Sequence, residues 1–246
     1  MSCKNKVVVI TGASSGIGAA TAVAFAKESA QLVLVASNKK KLRNVKSACQ
    51  AAGSKVSIII TDLTEEVYSG VINSVIKIHK RIDVLVNNAG VLEYGKLRDN
   101  TLVDAFDEIM DVNIAAPVFL TTYAAPHLIA SQGNVVNISA IDAEKVVCEE
   151  YGAFSVTKAA LNQFTRAAAI ELGEHGVRVN SISPSDVRTN MYKNAGKTKQ
   201  NVELKSVLNP WTEPEQIADL ILFVASDKAR GITGSNLVCD NGSMLL

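Results

Sequence analysis

Aromatic side chains are scarce in this chain: 6 Phe, 5 Tyr and 1 Trp among 246 residues. A core with so few rings must be built from Val, Ile, Leu and Ala, which suits parallel strands buried on both faces. Cysteine is scarce too. Cys3, Cys49, Cys148 and Cys239 fall at neither metal-ligand nor CxxC spacing, which excludes a disulfide scaffold. With no secretory signal pattern they read as reduced thiols of a cytoplasmic protein. The three histidines, His79, His127 and His175, stand far apart, so no metal site is expected. Charge of one sign is also lacking. The 25 basic and 24 acidic residues leave a net charge of +1, too little to draw nucleic acid or an anionic membrane. No apolar run looks long enough to cross a bilayer. Repeats and low-complexity linkers are absent, so residues 1–246 read as one soluble domain, long enough for a single large core.

What is present is alternation. Short apolar runs at Val7–Ile10, Leu32–Val35, Val56–Ile60, Val84–Val86, Val135–Ile138, Val177–Ile182 and Asn236–Asp240 predict seven strands. Between them lie helical stretches at Gly16–Ser29, Lys39–Ala52, Asp62–Lys80, Thr101–Ser131, Ala153–Gly173 and Pro214–Ser226. Pro117 and Pro126 predict a bend or break in the fourth of these, and Arg188–Val207 reads as a polar excursion. Such β-α alternation implies an α/β fold of the Rossmann type: a doubly wound, seven-stranded parallel sheet with helices on both faces. Residues 114–130 and 153–173 are apolar on more than one face, so a subunit interface or the chain's own loops must cover them.

The first turn carries chemistry. Thr11-Gly12-Ala13-Ser14-Ser15-Gly16-Ile17-Gly18 lies between the first strand and the first helix. Glycines there let the backbone turn sharply and approach a pyrophosphate, while the helix N-terminus offers N–H groups and a positive dipole end. At the end of the second strand a carboxylate would bind the adenosine ribose and repel a 2′-phosphate. Here Ser37 and Asn38 stand instead, followed by Lys39. This favours NADP(H) over NAD(H), a lean that the missing arginine keeps modest. The basic run Lys39, Lys40, Lys41, Arg43 and Lys46 reads as a solvated helix face or as a contact for a cofactor phosphate.

These motifs, with Asp62-Leu63, Asn87-Asn-Ala-Gly90, Asp111-Val-Asn113, Asn137-Ile-Ser139, Arg178-Val-Asn180 and the closing Ile232–Asp240, come in an order that resembles the short-chain dehydrogenase/reductases across essentially the whole chain. The resemblance implies NAD(P)-dependent alcohol oxidation or carbonyl reduction on a small-molecule substrate. It also implies homodimers or homotetramers packed through residues 114–130 and 153–173. By resemblance, Gly12, Ser14, Ser15, Gly16, Ile17, Gly18, Ser37, Asn38, Asp62, Leu63, Asn88, Ala89, Gly90, Lys158, Pro184 and Thr189 would hold the cofactor. Asp62 and Leu63 would sit near the adenine, Lys158 on the nicotinamide ribose and Thr189 by the carboxamide.

The resemblance breaks at the reacting end. The family uses a tyrosine as proton donor, a lysine four residues later, a serine and an asparagine. Lys158 and Asn113 fit, but the tyrosine position holds Phe154 and the serine position aligns with Ala140. Pro184 is followed by Ser185 and Asp240 by Asn241, where glycines are usual, and Asp142–Glu150 carries four acids. Losing a general acid typically costs about 10²–10⁴ in rate. Tyr151, three residues before Phe154, is one candidate substitute, but its offset of about 4.5 Å along the helix is unfavourable. Ser139 is another, although strand alternation turns it away. Three readings stay open: a cofactor-binding family member with impaired chemistry, an active reductase using Tyr151 or a bound water as acid, and a dinucleotide-dependent scaffold.

Overall fold

The computed structural model describes residues 3–64, 67–196 and 205–246. Seven parallel strands form one sheet in the order β3-β2-β1-β4-β5-β6-β7. They are β1 Val7–Thr11, β2 Gln31–Ala36, β3 Lys55–Ile60, β4 Val84–Asn87, β5 Asn134–Ile138, β6 Arg178–Pro184 and β7 Asn236–Cys239. The helices are α1 Gly16–Lys27, α2 Lys39–Ala51, α3 Tyr68–His79, α4 Leu102–Met110, α5 Ala116–Ser131, α6 Gly152–Gly173, α7 Met191–Asn194 and α8 Pro214–Ala225. The order reverses between β1 and β4. A cleft opens there at the C-terminal ends of the strands, where such sheets bind ligands.

β1 is buried along its whole length, as is β5. Alternate residues therefore feed two cores, with Val8 and Ile10 on one face and Val7 and Val9 on the other. The first face packs under α1 and α8 through Phe25, Ile217 and Ile221. The second packs under α3, α5 and α6 through Ile72, Leu120, Leu128 and Leu172. This is the expected layered architecture.

Three expectations need correction. The third helix starts at Tyr68, not Asp62; residues 65–66 lie outside the described residues. Asp62 instead forms a turn, its Oδ1 accepting from the Thr64 amide at 3.1 Å and hydroxyl at 3.0 Å. The helix over 102–131 does not break at its prolines. A π-turn, Asp111–Ala115, precedes Pro117, and the Ala116 N–H donates five residues back to the Asp111 carbonyl. The wider turn makes room for a proline that cannot donate. This 30-residue helical run is also long and apolar enough to cross a membrane by length and composition, with mean hydropathy 1.3 in its most apolar stretch. Ala116, Leu120, Ala124 and Leu128 spend one face of it on the sheet. Of the polar excursion, residues 197–204 lie outside the described residues; α7 is the part that bears on the site.

Candidate active site

The cleft at the strand ends encloses a cavity of about 450 Å³. Its floor is the β1–α1 turn. Gly12 holds a left-handed φ of +63°, and a Cβ built on Gly18 would lie 2.5 Å from the Gly12 carbonyl oxygen and 2.6 Å from Asn88 Nδ2. The turn therefore tolerates no side chain at either position. Ser15 caps α1 with extended backbone and no side-chain hydrogen bond, so its hydroxyl leaves the first-turn N–H groups to an anion. A flat glycine cradle under free helix N–H groups fits a diphosphate.

Thr11 ties this floor to the neighbouring wall. Its buried hydroxyl accepts from the Asn88 and Ala89 amides, both at 3.0 Å, while Asn88 Nδ2 donates to the Thr11 carbonyl at 2.9 Å. The β4 turn is thereby locked beside the β1 turn, which sequence reading gave no sign of. Below it, Asn87 Nδ2 donates to Asn137 Oδ1 at 2.8 Å, and Asn137 Nδ2 to Thr165 Oγ1 at 2.9 Å. This chain links β4, β5 and α6 and fixes the height of α6 against the strands.

Most of the residues expected to hold a cofactor line this cavity: Gly12, Ser14, Ser15, Gly16, Ile17, Ser37, Asp62, Leu63, Asn88, Ala89, Gly90, Lys158, Pro184 and Thr189. Two do not. Gly18 is packed beneath the turn. Asn38 is an N-cap, its Oδ1 accepting from the Lys41 amide at 2.9 Å, so its acceptor is committed to α2. Lys39, Lys40, Lys41 and Arg43 are exposed along α2 and do not line the cavity.

The inner end is set by α6. Lys158 is buried, its Nζ donating to the Ile138 carbonyl at 2.9 Å and standing 5.4 Å from the centre of the Phe154 ring. Burial pulls its pKa down to about 8, while the Asp142 carboxylate pushes it up. Phe154 lies one turn before Lys158 and packs with Ala140, Leu92, Tyr151 and Ala153. Ala140 and Phe154 both line the cavity, and neither carries a proton to give.

The other expected catalytic residues are committed elsewhere. Asn113 is fully buried and does not line the cavity. Its Oδ1 accepts from the Val91 amide at 2.9 Å, and its Nδ2 donates to the Val91 carbonyl at 3.0 Å and to Thr157 Oγ1 at 3.2 Å. It positions the β4 loop and has no donor to spare for substrate. Ser139 is not turned away as strand alternation predicted: it lines the cavity, with its hydroxyl donating to the Lys158 carbonyl at 3.2 Å, which anchors α6. Tyr151 does reach the cavity, but burial pushes its phenol far above the usual range, and it stands against Tyr192.

Three groups at this end escaped sequence reading. Asp142 follows Ala140 on the loop after β5, Asp186 follows Pro184 after β6, and Tyr192 sits on α7. Burial and the Asp186 charge push the Asp142 carboxyl up to about 7, against the pull of the nearby Asp142 and Val147 N–H groups and the Lys158 charge. The Tyr192 hydroxyl donates to Asp186 Oδ1. The only signal in the sequence was the acidic loop. Its other acids are tied at the surface: Glu149 to Lys96 and Arg98, Glu150 to Lys96, and Glu144 to Asn236.

Known proteins agree with this geometry. A family model for enoyl-(acyl carrier protein) reductase matches residues 12–244. An uncharacterized oxidoreductase of Methylorubrum extorquens is 36% identical over 97% of this chain and 98% of its own length. Meso-2,3-butanediol dehydrogenase of Serratia marcescens is 35% identical over 97% and 94%. A short-chain dehydrogenase from Mycobacterium paratuberculosis, solved bound to NAD, superposes with a TM-score of 0.90 at 27% identity, covering all of both chains. With the glycine cradle, the buried Lys158 and the seven-stranded parallel sheet in place, the chain belongs to the short-chain dehydrogenase/reductase family of NAD(P)-dependent oxidoreductases.

Proposed function

We propose that this chain binds NADP(H) in preference to NAD(H) and has lost the family's standard proton donor, so that ordinary carbonyl reduction is strongly impaired. The observation that carries this reading is the buried Lys158 ammonium one turn from a phenyl ring, Phe154, where the family places a tyrosine.

When bound, the nicotinamide supplies or accepts a hydride. Gly12 and Gly16 bring backbone against the diphosphate, and the first turn of α1 presents its N–H groups to it. Leu63 and Asp62 flank the adenine, and Asn88, Ala89 and Gly90 line the ribose. Lys158 holds the nicotinamide ribose. Ser37, exposed just after β2, carries no charge of its own to repel a 2′-phosphate.

Phe154 and Ala140 supply neither proton nor oxyanion donor. Ser139 and Asn113 are held by Lys158 and Val91, and Tyr151 stands against Tyr192 with its phenol pushed up by burial. A small alcohol or carbonyl would thus meet a site without the tyrosine and serine hydroxyls that the family uses on its oxygen. The apolar faces over residues 114–130 and 153–173 leave Phe119, Tyr123, Val156 and Ile170 uncovered, which supports a homodimer or homotetramer.

The test compares wild type with the Phe154→Tyr/Ala140→Ser double variant, using NADPH or NADH and a reactive dicarbonyl. Equal cofactor affinity, with turnover raised about 10²-fold or more in the double variant, is the expected result. Comparable turnover by both proteins would overturn it.

A further inference from the structure

The inner end of the cavity is unusual in what it gathers. Among the described residues, its acidic and basic side chains are Asp142, Asp186 and Lys158, so two carboxyl groups face one ammonium. Around them stand the rings of Phe154, Tyr151 and Tyr192, with Tyr94 packed against Tyr151 at 5.7 Å between ring centres. Tyr151 meets Phe154 edge to face at 6.4 Å. Asp142 Oδ1 is shielded from solvent and has no hydrogen-bond partner. A buried carboxylate oxygen in that state is costly unless a cation meets it. Aromatic faces beside carboxylates are the surroundings that organic ammonium ions favour.

From this juxtaposition we propose that the site takes a cationic substrate, an iminium ion, in place of a neutral carbonyl compound. The inference rests on the dinucleotide-binding reading above. It also accounts for Phe154. A carbonyl oxygen gains negative charge as hydride arrives and needs an acid. An iminium does not: its carbon accepts a hydride from the reduced nicotinamide dinucleotide, the C=N π pair moves onto nitrogen, and a neutral amine and oxidised nicotinamide remain. No proton moves in that step. A tyrosine hydroxyl at position 154 would be idle, whereas a bare ring stabilises the cation through its face. Asp142 and Asp186 offset the positive charge that Lys158 would otherwise oppose.

The test separates this reading from the one beneath it. Cofactor-free protein is titrated calorimetrically with 2-methyl-3,4-dihydroisoquinolinium, a permanent cation, and with 3-methyl-1,2-dihydronaphthalene, its neutral counterpart of the same shape. Asp142→Asn and Asp186→Asn are titrated beside wild type, with folding checked by thermal melting and NADPH binding by fluorescence. The cation should bind at least about tenfold tighter than the hydrocarbon, and either variant should lose about tenfold for the cation alone. In single turnovers, wild type with NADPH should reduce the iminium at least about 10²-fold faster than 1-tetralone, and Phe154→Tyr should narrow that ratio. Equal binding of cation and hydrocarbon, or folded variants that bind the cation as wild type does, would overturn the proposal. Failure to bind NADPH would instead strike the dinucleotide reading, leaving the calorimetry to decide the preference for a cation.

Discussion

Asp142 places a carboxyl group where water reaches it poorly and where Asp186 opposes its ionisation. Its pKa rises from the ordinary 3.8 to about 7. The folded state therefore holds the proton over a range in which the unfolded chain has released it. The sign follows: Asp142 costs nothing below about pH 4, an increasing amount between pH 4 and 7, and its full penalty above pH 7. Asp142→Asn should be as stable as wild type near pH 4 and more stable at pH 8. The gain should be about 1–2 kcal/mol, since partial contact with solvent reduces the effect. Thermal melts of both proteins across that range check it, and a constant difference would show that the carboxyl is not titrating in the fold. A group kept at such a cost in the reacting cleft is a candidate for function before it is one for stability.

The elements are positioned by polar ties at the strand ends. Thr11 is the clearest, with one hydroxyl accepting from two amides of the β4 turn. Thr11→Val keeps the shape and removes both acceptances, leaving the Ala89 amide without this partner in a half-buried turn. It should destabilise the fold by about 1–3 kcal/mol. Because the β1 and β4 turns would then be tied only through the Asn88 side chain, NADPH affinity should fall as well, by about tenfold. Denaturant unfolding and a fluorescence titration check the two effects, and a loss of stability without a loss of affinity would mean that Thr11 serves the core alone. The π-turn Asp111–Ala115 plays a similar positioning part. It absorbs Pro117 and turns Asn113 into the interior, where that side chain holds Val91 and Thr157.

At the scale of the whole molecule, the two cores account for nearly all the large aliphatic residues of the strands, yet α5 and α6 keep apolar residues outside them. Phe119 stacks with the buried Tyr68 on one side and with Tyr123 on the other, and the Phe119 and Tyr123 rings are exposed. Ile170 on α6 is 81% exposed. Burying such side chains is worth about 1.5–3 kcal/mol each, enough to hold subunits together when several act at once. Phe119→Glu/Ile170→Glu should therefore dissociate the proposed homodimer or homotetramer and leave the monomer folded. Light scattering beside circular dichroism checks this, and an unchanged mass would place the interface elsewhere.

The α/β order, the strand identities and the glycine cradle were legible in the sequence, because each depends on local chemistry: apolar runs, backbone freedom at Gly12, and the spacing of a strand and a helix. That position 154 carries a ring without a hydroxyl was legible as well, being a matter of residue identity alone. What surrounds that ring was not. Asp142, Asp186 and Tyr192 come from the segments after β5 and β6 and from α7, and no periodicity relates them. Nor did sequence reveal that Asn38 caps a helix, that Asn113 is saturated by Val91 and Thr157, or that Ser139 faces the α6 backbone. Those outcomes turn on which partner lies within hydrogen-bond distance once the sheet is assembled, and that is a matter of tertiary packing. A glycine turn after β1 and a ring without a hydroxyl four residues before Lys158 are written into the order of the residues; which charges gather around that ring is decided by the packing of three separate segments.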